Sequence, residues 1–151
     1  MLYTVGEMAR VTDIPASTLR YYDQEGLLPF VSRSKGGIRM FSEADYSTLM
    51  VIDCLKKSGL EIKDIKRFMQ WCVEGSSTYP ARLELFRRQK QCVEEELSRL
   101  QQVMAMLRFK CWYYEQAIQD GNEERLRTLT PEEMPEDIRK AYEQSHPTLG
   151  E

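Results

Sequence analysis

Nothing in this 151-residue chain approaches the roughly 18 consecutive apolar residues that a membrane helix requires. The first residues also lack the pattern of a secretory signal. Histidine is nearly missing, with His146 alone, and the four cysteines at 54, 72, 92 and 111 stand far apart. Metal ligation needs several Cys, His or carboxylate groups converging, and an iron–sulfur cluster needs closely spaced thiols. No metal site and no cofactor are therefore expected. Scattered thiols inside helical patterns suit a reducing cytoplasm better than a disulfide frame. There is no phosphate-binding loop, no nucleophile-and-base pair and no convergent carboxylates, so an enzyme is not expected. A positive total is lacking too: 21 Lys and Arg against 24 Asp and Glu give a formal charge of −3. That excludes a uniformly basic coat and leaves nucleic-acid binding only to a local patch.

Such a patch exists. Residues 33–39 hold three cations and no acid, whereas residues 131–137 hold four acids and no cation. Apolar residues make up 42% of the chain, enough for one ordinary domain with an appendage.

The helical signals begin at Thr4, which with Glu7 forms a capping box and opens a helix to about Val11, with Val5, Met8 and Ala9 inward. Pro15 starts a second helix that Gly26 ends. Leu27 to Phe41, with Pro29 and the Gly36-Gly37 pair between apolar flanks, predicts a small β-hairpin. Ser42 with Asp45 caps a third helix reaching Gly59, and a fourth spans about Glu61 to Glu74. Ser76, Ser77 and Thr78 predict a polar hinge.

One uninterrupted helix is then predicted from about Tyr79 to Gln119. Positions spaced alternately by three and four residues are Leu83, Phe86, Lys90, Val93, Leu97, Leu100, Met104, Leu107, Cys111, Tyr114 and Ile118. Only Lys90 breaks this apolar heptad seam, which predicts a coiled coil. A helix about 60 Å long cannot bury that stripe on so small a domain, so a second chain is needed. Pairing e with e′ and g with g′ matches Arg87 with Glu115′, Glu94 with Arg108′ and Glu96 with Lys110′, whereas a parallel pairing matches only Lys110 with Glu115′. The predicted partner is thus an antiparallel second copy. Gly121 closes the helix, and a tail with a Thr130-Pro131-Glu132-Glu133 helix start and one short helix trails off through Pro147.

Ser17, Thr18 and Arg20 lie on the first turns of the second helix, the part of a recognition helix that enters the major groove. Tyr21 adds a hydroxyl for phosphate, while Tyr22 packs inside. Arg33, Ser34, Lys35 and Arg39 would straddle the backbone, with Gly37 allowing close approach, and such contacts position without reading sequence. The alternative from another class is a coiled-coil scaffold or adaptor. That reading leaves Arg33, Lys35 and Arg39 beside Arg20 without a use.

Tyr3-Thr4-Val5-Gly6-Glu7-Met8-Ala9, Thr18-Leu19-Arg20-Tyr21-Tyr22 and Gly26-Leu27-Leu28 resemble the N-terminal signature of the MerR family of bacterial transcription regulators. Gly37-Ile38-Arg39-Met40-Phe41, Ser42 to Asp45, Gly59-Leu60-Glu61-Ile62 and Ile65 continue the resemblance in order, over residues 3–70. It implies a mainly α fold. A winged helix-turn-helix DNA-binding domain (1–75) would precede a long antiparallel coiled-coil dimerisation helix (76–120) and a short tail with one helix (121–151). It also implies a cytoplasmic homodimer on a pseudo-palindromic element of double-stranded promoter DNA with an unusually long spacer. Effector-dependent distortion would then let RNA polymerase engage both promoter boxes, acting on the polymerase indirectly. Ile38 and Phe41 depart from the tyrosines frequent in the family's wing.

Two candidate effector sites remain. Cys54 resembles a subgroup associated with aldehyde or thiol stress, and Lys57 three residues on would favour its thiolate. The other reading makes Cys54 a small apolar filler between helices. Cys72 and Cys111 read as core and Cys92 as an outer heptad position. Phe109, Trp112 and Tyr113 form a second apolar face, off the seam. Either it packs on the partner's DNA-binding domain under Trp71 and the tail helix, or it binds a small amphipathic or cationic molecule. The effector itself is unknown from sequence.

Overall fold

The computed structural model describes residues 1–29 and 31–146. The chain divides into two compact units, one of residues Met1–Cys92 and one from Val93 onward.

The first unit opens with a strand that the sequence reading missed. β1 (Leu2–Thr4) leads directly into α1 (Val5–Thr12), and Thr4 caps that helix as the spacing to Glu7 predicts. Asp13 turns the chain in the left-handed conformation (φ 57°), and Thr12 Oγ1 donates to the Met8 carbonyl at 2.8 Å. Ile14 is buried between the helices. α2 (Ala16–Gln24) follows, with Pro15 as its N-cap residue and Leu19 and Tyr22 buried. Gly26 (φ 75°) takes the left-handed turn that ends it.

β2 (Ser32–Arg33) and β3 (Arg39–Ser42) form the predicted hairpin, and β1 adds to its other side in the order β1-β3-β2. All pairs are antiparallel, with Tyr3 opposite Phe41 and Arg33 opposite Arg39. Phe41 is fully buried, so it serves the core, and the departure from tyrosine there costs no surface hydroxyl at the wing tip. Ile38 is exposed.

α3 (Glu43–Lys57) begins at the Ser42 and Asp45 capping box; α4 (Ile62–Glu74) follows after Gly59. Leu49, Ile52, Leu55 and Ile65 close the core with Met8, Leu19, Leu27 and Phe41. α5 (Tyr79–Asp120) contributes Leu85 to the same cluster, while Phe86 meets Phe68 edge-on at 5.5 Å. The N-terminal core thus extends past residue 75, where the first domain was expected to stop.

The expected hinge at Ser76–Thr78 is instead a short 3-10 turn fastened from both sides. Thr78 is buried, with Oγ1 2.7 Å from the carbonyls of both Trp71 and Gly75. Arg82 donates to the Gly75 carbonyl at 2.6 Å and to Thr78 Oγ1 at 3.0 Å. A serine-rich composition suggested freedom, but these hydroxyl and guanidinium contacts remove it.

In the second unit, residues 93–120 of α5 are followed by α6 (Glu124–Thr128), a 3-10 turn at Pro131–Glu133 and α7 (Glu136–Ser145). The tail therefore carries two helices where one was expected. Leu126, Ile138 and Ala141 are buried there together with Ala105 and Phe109 of α5. Phe109 packs edge-on against Tyr142 at 5.1 Å, and His146 stacks on Tyr142 at 4.2 Å. His146, the one histidine of the chain, finishes this aromatic group. The end of the tail, expected to trail off through Pro147, lies outside the described residues from 147 onward.

Gly75 adopts φ 90° and ψ −151°, a region closed to side-chain-bearing residues. Replacing it with Ala is expected to cost about 1–3 kcal/mol. Gly36→Ala, at an ordinary φ with only Ser34 Oγ at 3.9 Å, should change little. Thermal unfolding followed by circular dichroism measures both.

Candidate nucleic-acid interface

Because Leu19 and Tyr22 are drawn into the core, the opposite side of α2 faces outward. Ser17, Arg20 and Tyr21 are exposed there, and Thr18 is half-buried beside them. Tyr22 has its hydroxyl pushed above the usual tyrosine range, first by burial and then by the nearby Asp53 carboxylate. That leaves Tyr21 as the phenol available to a ligand.

The wing brings the second set. Arg33, Ser34, Lys35 and Gly37 are exposed on the turn, and Arg39 is partly covered. The turn is built by its own polar atoms: the Ile38 amide donates to Ser34 Oγ at 3.2 Å, and the Gly37 amide to the Ser34 carbonyl at 2.9 Å. Gly37 takes φ 76°, so the glycine is required where the backbone reverses. Ser34 therefore shapes the loop as well as lining it. Among the described residues, neither Arg20 nor Lys35 makes an ion pair, so both charges are available to a phosphate.

Arg33 and Arg39 are held differently. Both reach Asp23 on α2, Arg33 Nη2 at 3.2 Å and Arg39 Nε in a closer contact to the same carboxylate oxygen. Sequence reasoning missed Asp23. It follows the Tyr21-Tyr22 pair directly, and an acid beside a cationic hairpin was the available signal. Thr4 is also engaged: its hydroxyl donates to Glu7 Oε2 at 2.9 Å and accepts from the Glu7 amide. The Thr4 backbone amide, which donates to Glu7 Oε2 at 2.7 Å, and then the Thr4 hydroxyl hold the Glu7 carboxyl below its ordinary value.

The candidate effector residues fall in both units, Cys54 and Trp71 in the first and Trp112 and Tyr113 in the second. Cys54 is exposed on α3, which overturns its reading as a filler packed between helices. The cation expected to favour its thiolate is committed elsewhere, since Lys57 Nζ lies 2.6 Å from Asp53 Oδ2. Cys72 is partly buried against the N-terminal core, Cys92 is exposed, and Cys111 is exposed in the single chain, as its seam neighbours are. Trp71 belongs to the first unit, with the Arg67 guanidinium 5.2 Å above its ring, beside a cavity of about 310 Å³. In the second unit Trp112 lines an open groove with Arg108 and Ile138, while the Tyr113 hydroxyl lies 3.1 Å from Glu123 Oε2. The expected second apolar face is present around Phe109, and α7, the expected tail helix, packs over it.

Along α5, Leu83, Phe86, Val93, Leu97, Leu100, Met104, Leu107, Tyr114 and Ile118 are all exposed in the single chain, as is Cys111. Ile118 reaches 81% exposure. Glu96 is bonded to Arg99 at 2.6 Å on its own helix, and Lys110 lies over the Phe109 and Tyr113 rings. Both would have to exchange these contacts to form the expected Glu96–Lys110′ pair.

A family model described as MerR HTH family regulatory protein matches residues 3–71. An HTH-type transcriptional regulator of Haemophilus influenzae is 39% identical over 117 residues, covering 78% of this chain and 87% of that relative. The chain belongs to the MerR family. It is a DNA-binding transcriptional regulator of that family, and none of its helices is long and apolar enough to cross a membrane among the described residues.

Solved MerR structures agree. HiNmlR, a MerR family regulator lacking the sensor domain and bound to promoter DNA, superposes with a TM-score of 0.72 at 38% identity, over 82% of this chain and 98% of that one. A MerR family regulator from Bacillus thuringiensis gives 0.67 at 36% identity, over 74% and 97%. The MerR signature residues Leu19, Tyr22, Leu27 and Leu28 are those that bury α2 and its exit, and Arg20 and Tyr21 are those that remain outside.

Proposed function

We propose that this MerR protein acts as an antiparallel homodimer that reads a pseudo-palindromic promoter element and regulates transcription by distorting it when an effector is present. One observation carries this reading. The outward face of α2, the basic wing and a long exposed apolar seam on α5 occur in one chain. The first two features are what a duplex needs, and the third is what a second copy covers. The MerR structure seen on promoter DNA shares this fold, which supports double-stranded promoter DNA as the target here.

In this reading Ser17, Thr18 and Arg20 face base edges, and Tyr21, Arg33, Lys35 and Arg39 meet phosphates, with Ser34 and Gly37 presenting the loop. Thr4 acts by fixing the start of α1. RNA polymerase is affected through the shape of its promoter, since deformation energy depends on sequence and geometry rather than on new protein contacts. The adaptor alternative loses its support, because the free charges of Arg20 and Lys35 sit on a DNA-binding fold.

For the effector, Cys54 and Cys92 are the thiols that the first unit exposes, and the resemblance to the aldehyde or thiol-stress subgroup favours Cys54 on α3 as the one an electrophile meets. Mass spectrometry after exposure to an aldehyde or quinone should find the adduct there. If promoter output responds while Cys54 stays unmodified, the electrophile reading ends.

Arg20→Ala is expected to abolish preference for the operator over random duplex. Lys35→Ala should weaken binding to every duplex and lower the slope of log affinity against log salt by about one unit per site. Fluorescence anisotropy at several salt concentrations separates the two. Sedimentation should give twice the 17.8 kDa chain mass. Leu100→Glu, which places a carboxylate in the middle of the seam, should return the single chain. A wild-type chain that remains single in dilute solution contradicts the dimer.

A further inference from the structure

The Asp23 carboxylate sits where an acid is electrostatically unwelcome. It lies on α2, the recognition helix in the reading above, between two wing arginines that the same reading places against phosphates. It is also well covered, with 15% of the side chain exposed, and it bridges two elements that the chain separates by ten and sixteen residues. Arg39 is 23% exposed and Arg33 56%, so one arm of the bridge is inside the joint and the other reaches outward. Across the hairpin, Arg33 pairs in register with Arg39, which would place like charges side by side without an acid between them.

We propose that Asp23 is a positioning residue for operator binding: it latches the wing to α2 through Arg33 and Arg39, so that both elements reach the duplex in a fixed relation. The proposal rests on the operator-binding reading above and adds a residue to it. β1 and the buried Phe41 anchor β3, but β2 is only two residues long and is held along one edge, so the outer side of the wing has little stiffness of its own. The carboxylate supplies the missing constraint at the wing's base. It leaves the turn, with Lys35 and Gly37, projecting beyond it.

A latch and a charge shield predict opposite signs. Were Asp23 only masking positive charge, its removal would strengthen binding to any duplex, since one less acid faces the phosphates. As a latch, its removal weakens the selected complex, which needs α2 and the wing aligned, and spares or tightens binding that needs only charge.

The test compares full-length wild type, Asp23→Asn and Asp23→Glu on two probes. One is the duplex that the wild type enriches from a random-sequence pool, and the other is poly(dI-dC). Asp23→Asn is expected to lose about tenfold on the enriched duplex, as a lost charge-assisted contact would cause, with poly(dI-dC) binding unchanged or tighter. Asp23→Glu, which keeps the carboxylate, should recover at least part of that loss. Tightening on both probes, no change on either, or an equal fall on both overturns the proposal. So does an Asp23→Asn chain without the helical circular dichroism of the wild type, since that assigns Asp23 to folding. A wild type that enriches no duplex at all defeats the operator-binding reading itself, a result separate from any effect of the variants.

Discussion

Burial of Leu19 and Tyr22 sets the rotation of α2, and the site depends on that rotation. Both side chains are almost wholly enclosed by Met8, Leu49, Ile52 and their neighbours, so α2 cannot roll without opening the core. A core substitution that creates a cavity costs several kcal/mol, against which no single surface contact competes. The polar residues of α2 need no interaction of their own to be displayed outward. They are on the remaining face.

Much of this was legible in the sequence because it is written in local chemistry. The capping pairs Thr4 with Glu7 and Ser42 with Asp45 open helices where expected, and Gly26, Gly59 and Gly121 take positive φ just past helix ends. The seam on α5 was readable since its period requires no knowledge of the partner. What escaped depends on contacts between distant segments. β1 is three residues long and exists only because β3 lies beside it. α6 is five residues long, too short for periodicity to register.

The site divides along the same line. Which residues of α2 and the wing face outward followed from which ones the core needs, so Ser17, Arg20, Tyr21 and Lys35 could be named in advance. The state of each charge could not. Arg33 and Arg39 share Asp23, Lys57 is committed to Asp53, and Thr4 is committed to Glu7. Likewise Cys54 lies in an apolar-looking stretch between Ile52 and Leu55, yet these two take the buried positions and leave the thiol outside. The aromatic face around Phe109 had the tail helix among the elements expected to cover it. It is covered by α7, whose Ile138, Ala141 and Tyr142 recur at the spacing that one helical face requires.

The junction at Gly75 has a mechanical meaning. A glycine in a conformation that other residues avoid, followed by a buried threonine and an arginine that bonds back across the bend, behaves as a set elbow and not as a swivel. Rotation imposed on the opening turns of α5 would therefore be passed to α4 with little slack, and from there to the packed helices that carry α2. Leverage in this molecule comes from a stiff corner.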